Sequence, residues 1–377
     1  MGQNSQAFIG IDTSKLRNAV TIADDGRAGE VRYLGEIDTT DAATRRLVAK
    51  LVAKYDKLSF CYEAGPTGYG LYRLIKDLGH DCMVVASSLI PAKPGDRIKT
   101  NRRDSENLAK LLRAGELTAV WVPDERHEAM RDLSRARETA VDDLKRKRQQ
   151  ISSLLLRLGL HYPGIKTWGR AHRNWLAAQK IVQREQRIVF EEALGAEHQA
   201  QERAERLAAA IREALPDWSL WGTVTALQAV RGIDMIAAVT ILAETGDLSR
   251  FASPRELMGY LGLVPSERST GDSVKRGGIT KAGNRRVRRI LVESAWSYRH
   301  PPRIGRDKQA KVDAAPEAVR EIAWKAQTRL SGRFKALGRK GKRPTIVAVA
   351  IARELCGFIW AIDRAMRAAA AATAAGR

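Results

Sequence analysis

The sequence predicts an α/β domain, then a long helical arm, then a mainly α-helical basic domain. Short apolar runs rich in strand formers alternate with helical patterns up to about residue 124. From residue 125 onward, apolar residues recur every three or four positions, which is typical of an amphipathic helix. We therefore expect domains at 1–124, 125–217 and 218–365, followed by an Ala-rich tail at 366–377.

The first domain is predicted to follow the order β, β, β, α, β, α, β, α. The strands are expected at 7–11, 19–23, 31–37, 58–62 and 82–86, and the helices at 40–54, 69–78 and 105–114. The turn signal Asp24-Asp25-Gly26 separates the second and third strands, so the first three strands are expected to form an antiparallel meander. Thr39 or Thr40 is a suitable N-cap for the first helix.

The arm is predicted to be an antiparallel helical pair or coiled coil. The first helix starts near Glu125 and is broken by Pro163-Gly164, and a second helical stretch covers 175–215 before Pro216. Such a pair can act as a spacer, as a dimerisation arm or as both. A plain spacer is the simpler interpretation of this segment alone.

The third domain is predicted to be helical, with one polar loop. Helices at 225–230 and 236–244 flank Arg231-Gly232-Ile233-Asp234, a spacing similar to that of a helix-hairpin-helix DNA-binding element. Any helical hairpin can carry glycine at its turn, so this signal is weak. A short helix at 254–260 precedes a Gly-, Ser- and Lys-rich loop at 261–284, and helix resumes at 285–296 and after Pro344.

Charge and cysteine content narrow the class of partner. The formal net charge is +22 and the pI about 10.2, which favours a polyanion: nucleic acid first, an anionic membrane second. Between Arg268 and Arg343 there are 22 Lys or Arg against 6 Asp or Glu, so the excess is local. Three scattered cysteines argue against a disulfide framework or a cysteine zinc site. No signal peptide and no apolar stretch of transmembrane length is evident, so we expect a cytoplasmic protein without a membrane partner.

Three carboxylates stand where a metal site of the α/β domain would be built. Asp12 ends the first strand, Glu63 ends the fourth, and Asp104 opens the helix after the last strand. Each taken alone is more simply a surface or capping residue. Their order matches an RNase H-like fold, in which such acids converge at one sheet edge. Hard cations such as Mg²⁺ take oxygen ligands, so this set predicts a Mg²⁺-dependent phosphodiester chemistry.

Ser269 is the candidate nucleophile. It lies in Ser269-Thr270-Gly271, and an exposed hydroxyl near cations can attack phosphorus. The cations in question are Arg268, Lys275, Arg276 and Lys281. The triplet is also a common turn, and without further context that interpretation is preferred. No local histidine is available as base, so activation would have to come from Arg, Lys, a metal or a remote carboxylate.

Four segments, in order along the chain, match the motifs of one known family. They are FIGIDTSK, YEAGPTGYGLYRLI, PGDRIKTNRRDSENLAKLLRAGEL and YLGLVPSERSTGDSVKRGGITKAGNRRVRRILVESAW. Together they resemble the hallmarks of the insertion-sequence-110 transposase family, from about residue 7 to residue 300. None of the four would be specific alone; the order and spacing of all four are.

The resemblance implies a domain like the junction resolvase RuvC, with an Asp-Glu-Asp-Asp set. By motif, Asp12 is the first acid, Glu63 the second and Asp104 the last, while Asn101 occupies the third position in KTNRRD. Asparagine keeps an oxygen ligand but loses a charge, so metal affinity should fall. Three alternatives stay open: three acids suffice, Asp96 compensates, or this copy is impaired.

The resemblance also implies a serine nucleophile at Ser269, with Thr270 at the variable place before Gly271. A structured guide RNA and a bacterial, nucleoid-associated location are implied in the same way. The expected activity is cleavage and rejoining of DNA that moves an insertion sequence, by a homo-oligomer (a dimer or a tetramer) whose helical arms hold the subunits together. The basic residues expected to contact nucleic acid are Arg268, Lys275, Arg276, Lys281, Arg285, Arg286, Arg288, Arg289, Lys145 and Arg146.

Two rival functions remain. One is a metal-dependent RuvC-like nuclease in which Ser269 is only a turn residue. The other is a nucleic-acid-binding relic, inactivated by Asn101. A basic surface cannot by itself distinguish RNA from DNA, because phosphate contacts carry no sequence information.

Overall fold

The computed structural model describes residues 6–91, 100–271 and 273–375. The chain divides into two compact units, Met1–Val122 and Pro123–Arg377. The helical arm and the basic domain both fall in the second unit.

Within its described residues, the first unit is a five-stranded sheet with three α-helices. The strands are β1 (Gln6–Asp12), β2 (Arg17–Asp24), β3 (Val31–Asp38), β4 (Lys57–Glu63) and β5 (Asp81–Val85), and the helices are α1 (Asp41–Val52), α2 (Gly70–Asp77) and α3 (Asn101–Ala114). The strand order is β3-β2-β1-β4-β5. The first three strands are antiparallel neighbours, whereas β1, β4 and β5 run parallel. The predicted order of elements and the antiparallel meander are both seen.

The two faces of this sheet are covered by different helices. Ile9 and Ile11 of β1 are buried in one apolar cluster with side chains of α1 and α2. Because alternate residues of a strand face opposite sides, Gly10 faces the other side, where α3 packs. Thr40 caps α1 by accepting a hydrogen bond from the backbone N–H of Ala43, as one of the two expected caps.

The second unit begins with three helices. They are α4 (Glu125–Arg157), α5 (Arg170–Ala177) and α6 (Arg184–Ala214), with α4 and α6 packed along each other. The predicted single helix over 175–215 is therefore wrong, because the chain leaves the helix between α5 and α6. Tertiary packing explains the break: Leu176 near the end of α5 and Ile181 within the break are buried in one apolar cluster with Phe190 and the end of α4. A coiled-coil geometry for the pair stays a prediction.

The rest of the second unit is helical around one large core. Its helices are α7 (Trp221–Leu227), α8 (Met235–Thr245), α9 (Pro254–Tyr260), α10 (Arg285–Ala295), α11 (Arg306–Asp313), α12 (Glu317–Arg339) and α13 (Pro344–Ala375). The segment predicted as a loop forms instead a β-hairpin of β6 (Pro265–Thr270) and β7 (Ser273–Ile279). Almost all of its side chains are exposed, so it lacks the apolar alternation by which a half-buried strand is recognised.

Helix α13 corrects one expectation. Residues 344–372 contain an 18-residue window with a mean hydropathy of 1.8, and the segment is long and apolar enough to cross a membrane. However, Ile351, Leu355 and Ile359 are buried in the core of the second unit. Farther along, the buried carboxylate of Asp363 pairs with Arg367 at 2.8 Å. These contacts are those of a core helix.

Candidate catalytic sites

The sheet topology brings Asp12 and Glu63 to the same edge. Strands β1 and β4 are parallel neighbours, and Ile11 lies opposite Tyr62. Asp12 and Glu63 are the next residues of the two strands and are their last. Because parallel strands end at a common edge, their carboxylates leave the sheet side by side. Glu63 is further held by Ser87, whose hydroxyl donates to Oε1 of its carboxylate.

Asp104 reaches this edge because α3 packs directly on β1. A Cβ added at Gly10 would lie 2.3 Å from the carbonyl oxygen of Ser105 and 2.5 Å from the backbone nitrogen of Ala109. Only glycine permits so close an approach of helix and strand. The buried hydroxyls of Ser105 and Thr21, 2.8 Å apart, join the same helix to β2. The first turn of α3, which carries Asp104, is thus held over the end of β1.

The three acids share one electrostatic environment. Partial burial, and after it the negative charges of Asp104 and Glu63, together raise the pKa of Asp12 to about 6. A cation bound between the three carboxylates would offset the repulsion among their negative charges. The donor set, all carboxylate oxygen, is of the hard kind that Mg²⁺ prefers.

The acidic side chains of this site stand apart and do not form a compact set of metal ligands. Among the described residues, no group of three or more His, Cys, Asp or Glu is close enough together to hold a metal ion. Asn101, the third expected ligand, is exposed and lies one turn before Asp104 on the same face of α3. Asp96 lies outside the described residues. Asp104 does not open the helix as expected: Thr100 is the N-cap, and Asp104 stands in the first turn.

Ser269 lies near the tip of the hairpin and has a carboxylate partner. Its Oγ donates a hydrogen bond to Oε1 of Glu267 at 2.8 Å. Nε of Arg276 donates to the other oxygen, Oε2, at 3.1 Å. The hydrogen bond from Ser269, and then the bond and charge of Arg276, lower the pKa of the Glu267 carboxyl. All three side chains are exposed to solvent.

Strand pairing divides the expected cations between two faces. Glu267 lies opposite Arg276, and Ser269 opposite Val274, so these four side chains share one face. Arg268 and Lys275 lie opposite each other on the other face. Of the three hairpin cations predicted from the sequence, Arg276 is therefore the one beside the serine.

Glu267 was not found by sequence reasoning. The signal was present: Glu267 and Ser269 are two positions apart, which places them on one face of any strand. This spacing is informative only if the segment is interpreted as a strand, because residues two positions apart in a loop need not share a face. The structure thus supplies the local carboxylate that the sequence left unassigned.

The basic residues of α10 are mostly engaged within the protein. Arg286 and Arg289 both bind the carboxylate of Glu138, the latter at 2.6 Å. Arg288 donates to the carbonyl oxygens of Leu261 and Ala282, each at 2.9 Å. Their charge is thus partly used to hold the fold, while Arg285 is exposed.

Lys145 and Arg146 on α4 form only surface pairs. Lys145 lies 3.4 Å from Asp142 and Arg146 lies 3.2 Å from Asp143, each three residues away. Exposed pairs of this kind contribute little to stability, so both side chains can turn toward a ligand at small cost.

The predicted helical hairpin around Gly232 is formed by α7 and α8. Its turn packs on neighbouring structure: Tyr298 donates to the carbonyl of Arg231 at 3.0 Å, and Lys308 donates to that of Ile233 at 2.7 Å. Phosphate binding at this turn stays a prediction.

Comparison with known proteins agrees with both parts of this arrangement. A family model described as a transposase, of the DEDD type, matches residues 9–159, and one described as "Transposase IS116/IS110/IS902 family" matches 224–308. A putative transposase of Sinorhizobium fredii, y4qE, is 56% identical over 362 residues, covering 96% of this chain and 90% of that protein. The transposase for insertion sequence element IS1533 of Leptospira borgpetersenii is 28% identical over 347 residues, covering 90% and 98%.

An acid-bearing α/β unit and a basic unit with an exposed serine, joined in one chain with these relatives, define a transposase, an enzyme of DNA transposition. The chain belongs to the IS116/IS110/IS902 transposase family. The DEDD-type match covers the sheet of the first unit from Ile9 onward and supports the RNase H-like assignment of that unit.

Proposed function

We propose that this transposase cuts and rejoins DNA through Ser269, assisted by Mg²⁺ held by Asp12, Glu63 and Asp104, with Asn101 as a neutral fourth ligand. The observation that carries the proposal is the hydrogen bond from Ser269 to Glu267 beside Arg276. An exposed hydroxyl aimed by a carboxylate, next to a guanidinium, has the parts that attack on a phosphodiester needs.

In this scheme, Oγ of Ser269 attacks phosphorus and releases its proton to solvent, while a P–O bond to one DNA strand breaks. The departing oxygen takes up a proton and becomes a hydroxyl, so no net proton is consumed. Because one phosphodiester is exchanged for another, the reverse attack by a DNA hydroxyl rejoins the strand and frees the serine. Because the pKa of the Glu267 carboxyl is lowered, the group is ionised at neutral pH. The carboxylate accepts the hydrogen bond of the Ser269 hydroxyl and so orients it. Bound Mg²⁺ would neutralise charge on the phosphate and the leaving oxygen.

Arg276 has two roles in this scheme. A bare carboxylate beside Ser269 would repel a phosphate, and the guanidinium 3.1 Å from Glu267 offsets that charge. Its remaining N–H donors are available to the phosphate oxygens. Arg268 and Lys275, on the other face of the hairpin, are then left for nucleic acid away from the reacting phosphorus.

Two further parts of the proposal rest on the family resemblance and the net charge of +22. A structured guide RNA selects the DNA, and the active form is a homo-oligomer in which the serine of one subunit meets the acidic site of another. A basic surface fits both nucleic acids, and neither part is needed for the serine step itself.

The proposal is tested by looking for a covalent adduct between the protein and DNA. Purified protein is incubated with Mg²⁺, the element's own ends and RNA transcribed from the element, then denatured, and DNA-linked peptides are mapped. We expect the adduct on Ser269 and its loss in Ser269→Ala. Ser273→Ala, an exposed serine of the same hairpin, is the matched control and should react normally.

The second candidate is a metal nuclease of the acidic site alone. It is favoured by one observation, the coupling of Asp12 to Asp104 and Glu63, which does not involve the serine. Cleavage that survives in Ser269→Ala without any adduct would establish it. Metal-independent binding with neither cleavage nor adduct would instead indicate the relic.

A further inference from the structure

A large groove lies beside the base of the hairpin in the second unit. Its volume is about 1160 Å³, and its walls come from α9, α12, α13 and the hairpin segments that contain Pro265, Gly277 and Gly278. This exceeds the usual range of small-molecule sites, about 300–1,000 Å³. A Cβ added at Gly278 would have nothing within 4 Å, so the backbone of this wall is uncovered there and a ligand can approach it closely.

The rim of the groove is cationic. Of the described residues that line it, five are basic (Arg255, Lys281, Arg329, Arg333 and Arg353) and one, Glu354, is acidic. Glu354 binds both Arg329, at 3.0 Å, and Arg333, so one negative charge fixes two guanidiniums. Among the described residues, the structure gives Arg255 and Arg353 no acidic partner. The rim therefore keeps a positive excess that suits an anionic ligand.

The floor of the groove is apolar. Met258, Ile279, Ile346 and Val349 line it, and Ile346 has 56% of its surface exposed. A small inorganic anion or a DNA duplex gains nothing from such a floor, because both present only charge and hydrogen-bonding groups to it. An unpaired strand presents phosphates to the rim and base faces to the floor.

Lys281 is held at the rim in a strained conformation. Its φ is 58°, in the left-handed region that a lysine seldom adopts. The flanking chain is fixed: a Cβ at Gly262 would lie 2.1 Å from the carbonyl oxygen of Ala282, and one at Gly283 would lie 1.8 Å from that of Tyr260. Strain kept by the surrounding structure is a common property of ligand-binding positions.

We propose that this groove binds an unpaired DNA strand next to the scissile phosphate. The choice of DNA rests on the proposed function, because the strand that forms the groove wall at Pro265 also carries Ser269. Four residue steps along β6 separate the two positions by about 13 Å. A strand lying in the groove is thus directed along the hairpin toward the nucleophile. Arg255, Arg329, Arg333 and Arg353 join Lys281 as contacts to its phosphates.

The test measures binding of a short mixed-sequence single-stranded DNA by fluorescence anisotropy over a salt series. In Arg255→Gln/Arg353→Gln, the dissociation constant should rise roughly 10- to 30-fold at ~0.1 M salt, and the log–log salt slope should fall by about 1.4. Glu354→Gln, which removes the only rim acid, should bind more tightly than the wild type. Arg206→Gln/Arg212→Gln, two exposed arginines of α6, removes the same charge and should change the affinity little.

The outcomes separate this site from the proposed function. Equal losses in the groove variant and the α6 control overturn the groove. If the groove variant loses binding of duplex DNA or of single-stranded RNA but keeps binding of single-stranded DNA, the assignment of the groove to a DNA strand is overturned. If the groove variant loses DNA binding while wild-type protein gives no serine adduct, the groove stands and the serine mechanism fails. If the adduct forms equally in both, the mechanism stands and the groove fails.

Discussion

Ser269 and Glu267 form a hydrogen-bonded pair on one face of the β6–β7 hairpin, with Oγ and Oε1 2.8 Å apart. The pair is exposed, and Arg276 binds the other carboxylate oxygen. Its geometry therefore depends on the hairpin backbone and on these two contacts, not on a surrounding core. Substitutions here are expected to change reactivity without unfolding the protein.

Glu267→Gln should slow adduct formation by about 10- to 100-fold while DNA affinity is kept or improved. The amide removes the charged acceptor for the hydroxyl, and it also removes a negative charge near the phosphate. The measurement is single-turnover adduct formation at saturating DNA and several pH values, beside direct binding.

Glu293→Gln is the matched control for that substitution. Glu293 is also a carboxylate paired with an arginine, Arg289, at 3.2 Å. It should leave the rate unchanged. An unaltered rate in Glu267→Gln would exclude Glu267 as the positioning residue of Ser269.

Asn101→Asp should tighten Mg²⁺ binding about tenfold. The new carboxylate would stand on the same face of α3 as Asp104, one turn away, and add a charged oxygen ligand. Isothermal titration calorimetry of metal binding is the direct measurement, with transposition activity as its companion.

The same change at the exposed Asn174 of α5 controls for net charge. Tighter metal binding together with higher activity would mean that this copy is impaired by Asn101. Unchanged metal affinity in Asn101→Asp would remove position 101 from the metal site.

Metal binding should weaken as the pH falls below about 6. In the metal-free protein the pKa of Asp12 is about 6, and protons compete with the cation for its carboxylate. Because this pKa is raised above the unfolded value of 3.8, ionised Asp12 destabilises the fold: stability falls as the pH rises from 3.8 through 6. Asp12→Asn should therefore raise the thermal midpoint at neutral pH in the presence of a chelator.

Asp104→Asn tests the cause of that shift. Removing the nearby charge should move the pKa of Asp12 down toward its ordinary value, as followed by ¹³C NMR of the carboxyl groups. Asp41→Asn, an exposed acid at the start of α1, should not move it. A pKa of Asp12 that stays near 6 in Asp104→Asn would show that the charge of Asp104 does not contribute to the shift.

Gly10→Ala should destabilise the first unit by at least about 2 kcal/mol, because the added methyl meets the backbone of α3. If α3 instead shifts to admit the methyl, Asp104 moves away from Asp12 and the pKa of Asp12 falls. Chemical denaturation and the same NMR titration distinguish these results. Gly70→Ala on α2 has nothing within 4 Å of the new Cβ and is the control. Unchanged stability and pKa would contradict the close packing of β1 and α3.

The α/β unit was predictable because its signals are local. Buried runs around Ile9 and Phe60 and the turn at Gly26 mark strands whatever they pair with, so the element order follows. The break between α5 and α6 was not predictable, because burial of Ile181 comes from packing on other helices. The hairpin was missed because an exposed two-stranded ribbon has no apolar face.

The candidate sites show the same division. Asp12, Glu63 and Asp104 could be proposed from strand ends and motif order, and Ser269 from its motif. Glu267 could not, since its relation to Ser269 exists only in a strand. Arg286 and Arg289 lie 148 and 151 positions from Glu138, so their contacts with it produce no pattern in the local sequence.

The packing of α3 on β1 at Gly10 is set by backbone atoms of Ser105 and Ala109 and by the Cβ of Leu108, an atom that every residue except glycine carries. A separation between two backbones in direct contact does not depend on which aliphatic side chains fill the cores on either side. Sequence drift at positions such as Ile9, Leu47 or Leu108 can therefore alter stability without changing how far the carboxylates of Asp12 and Asp104 stand from each other. The apolar side chains of this unit can therefore vary, provided that residue 10 keeps a hydrogen atom where other residues carry Cβ.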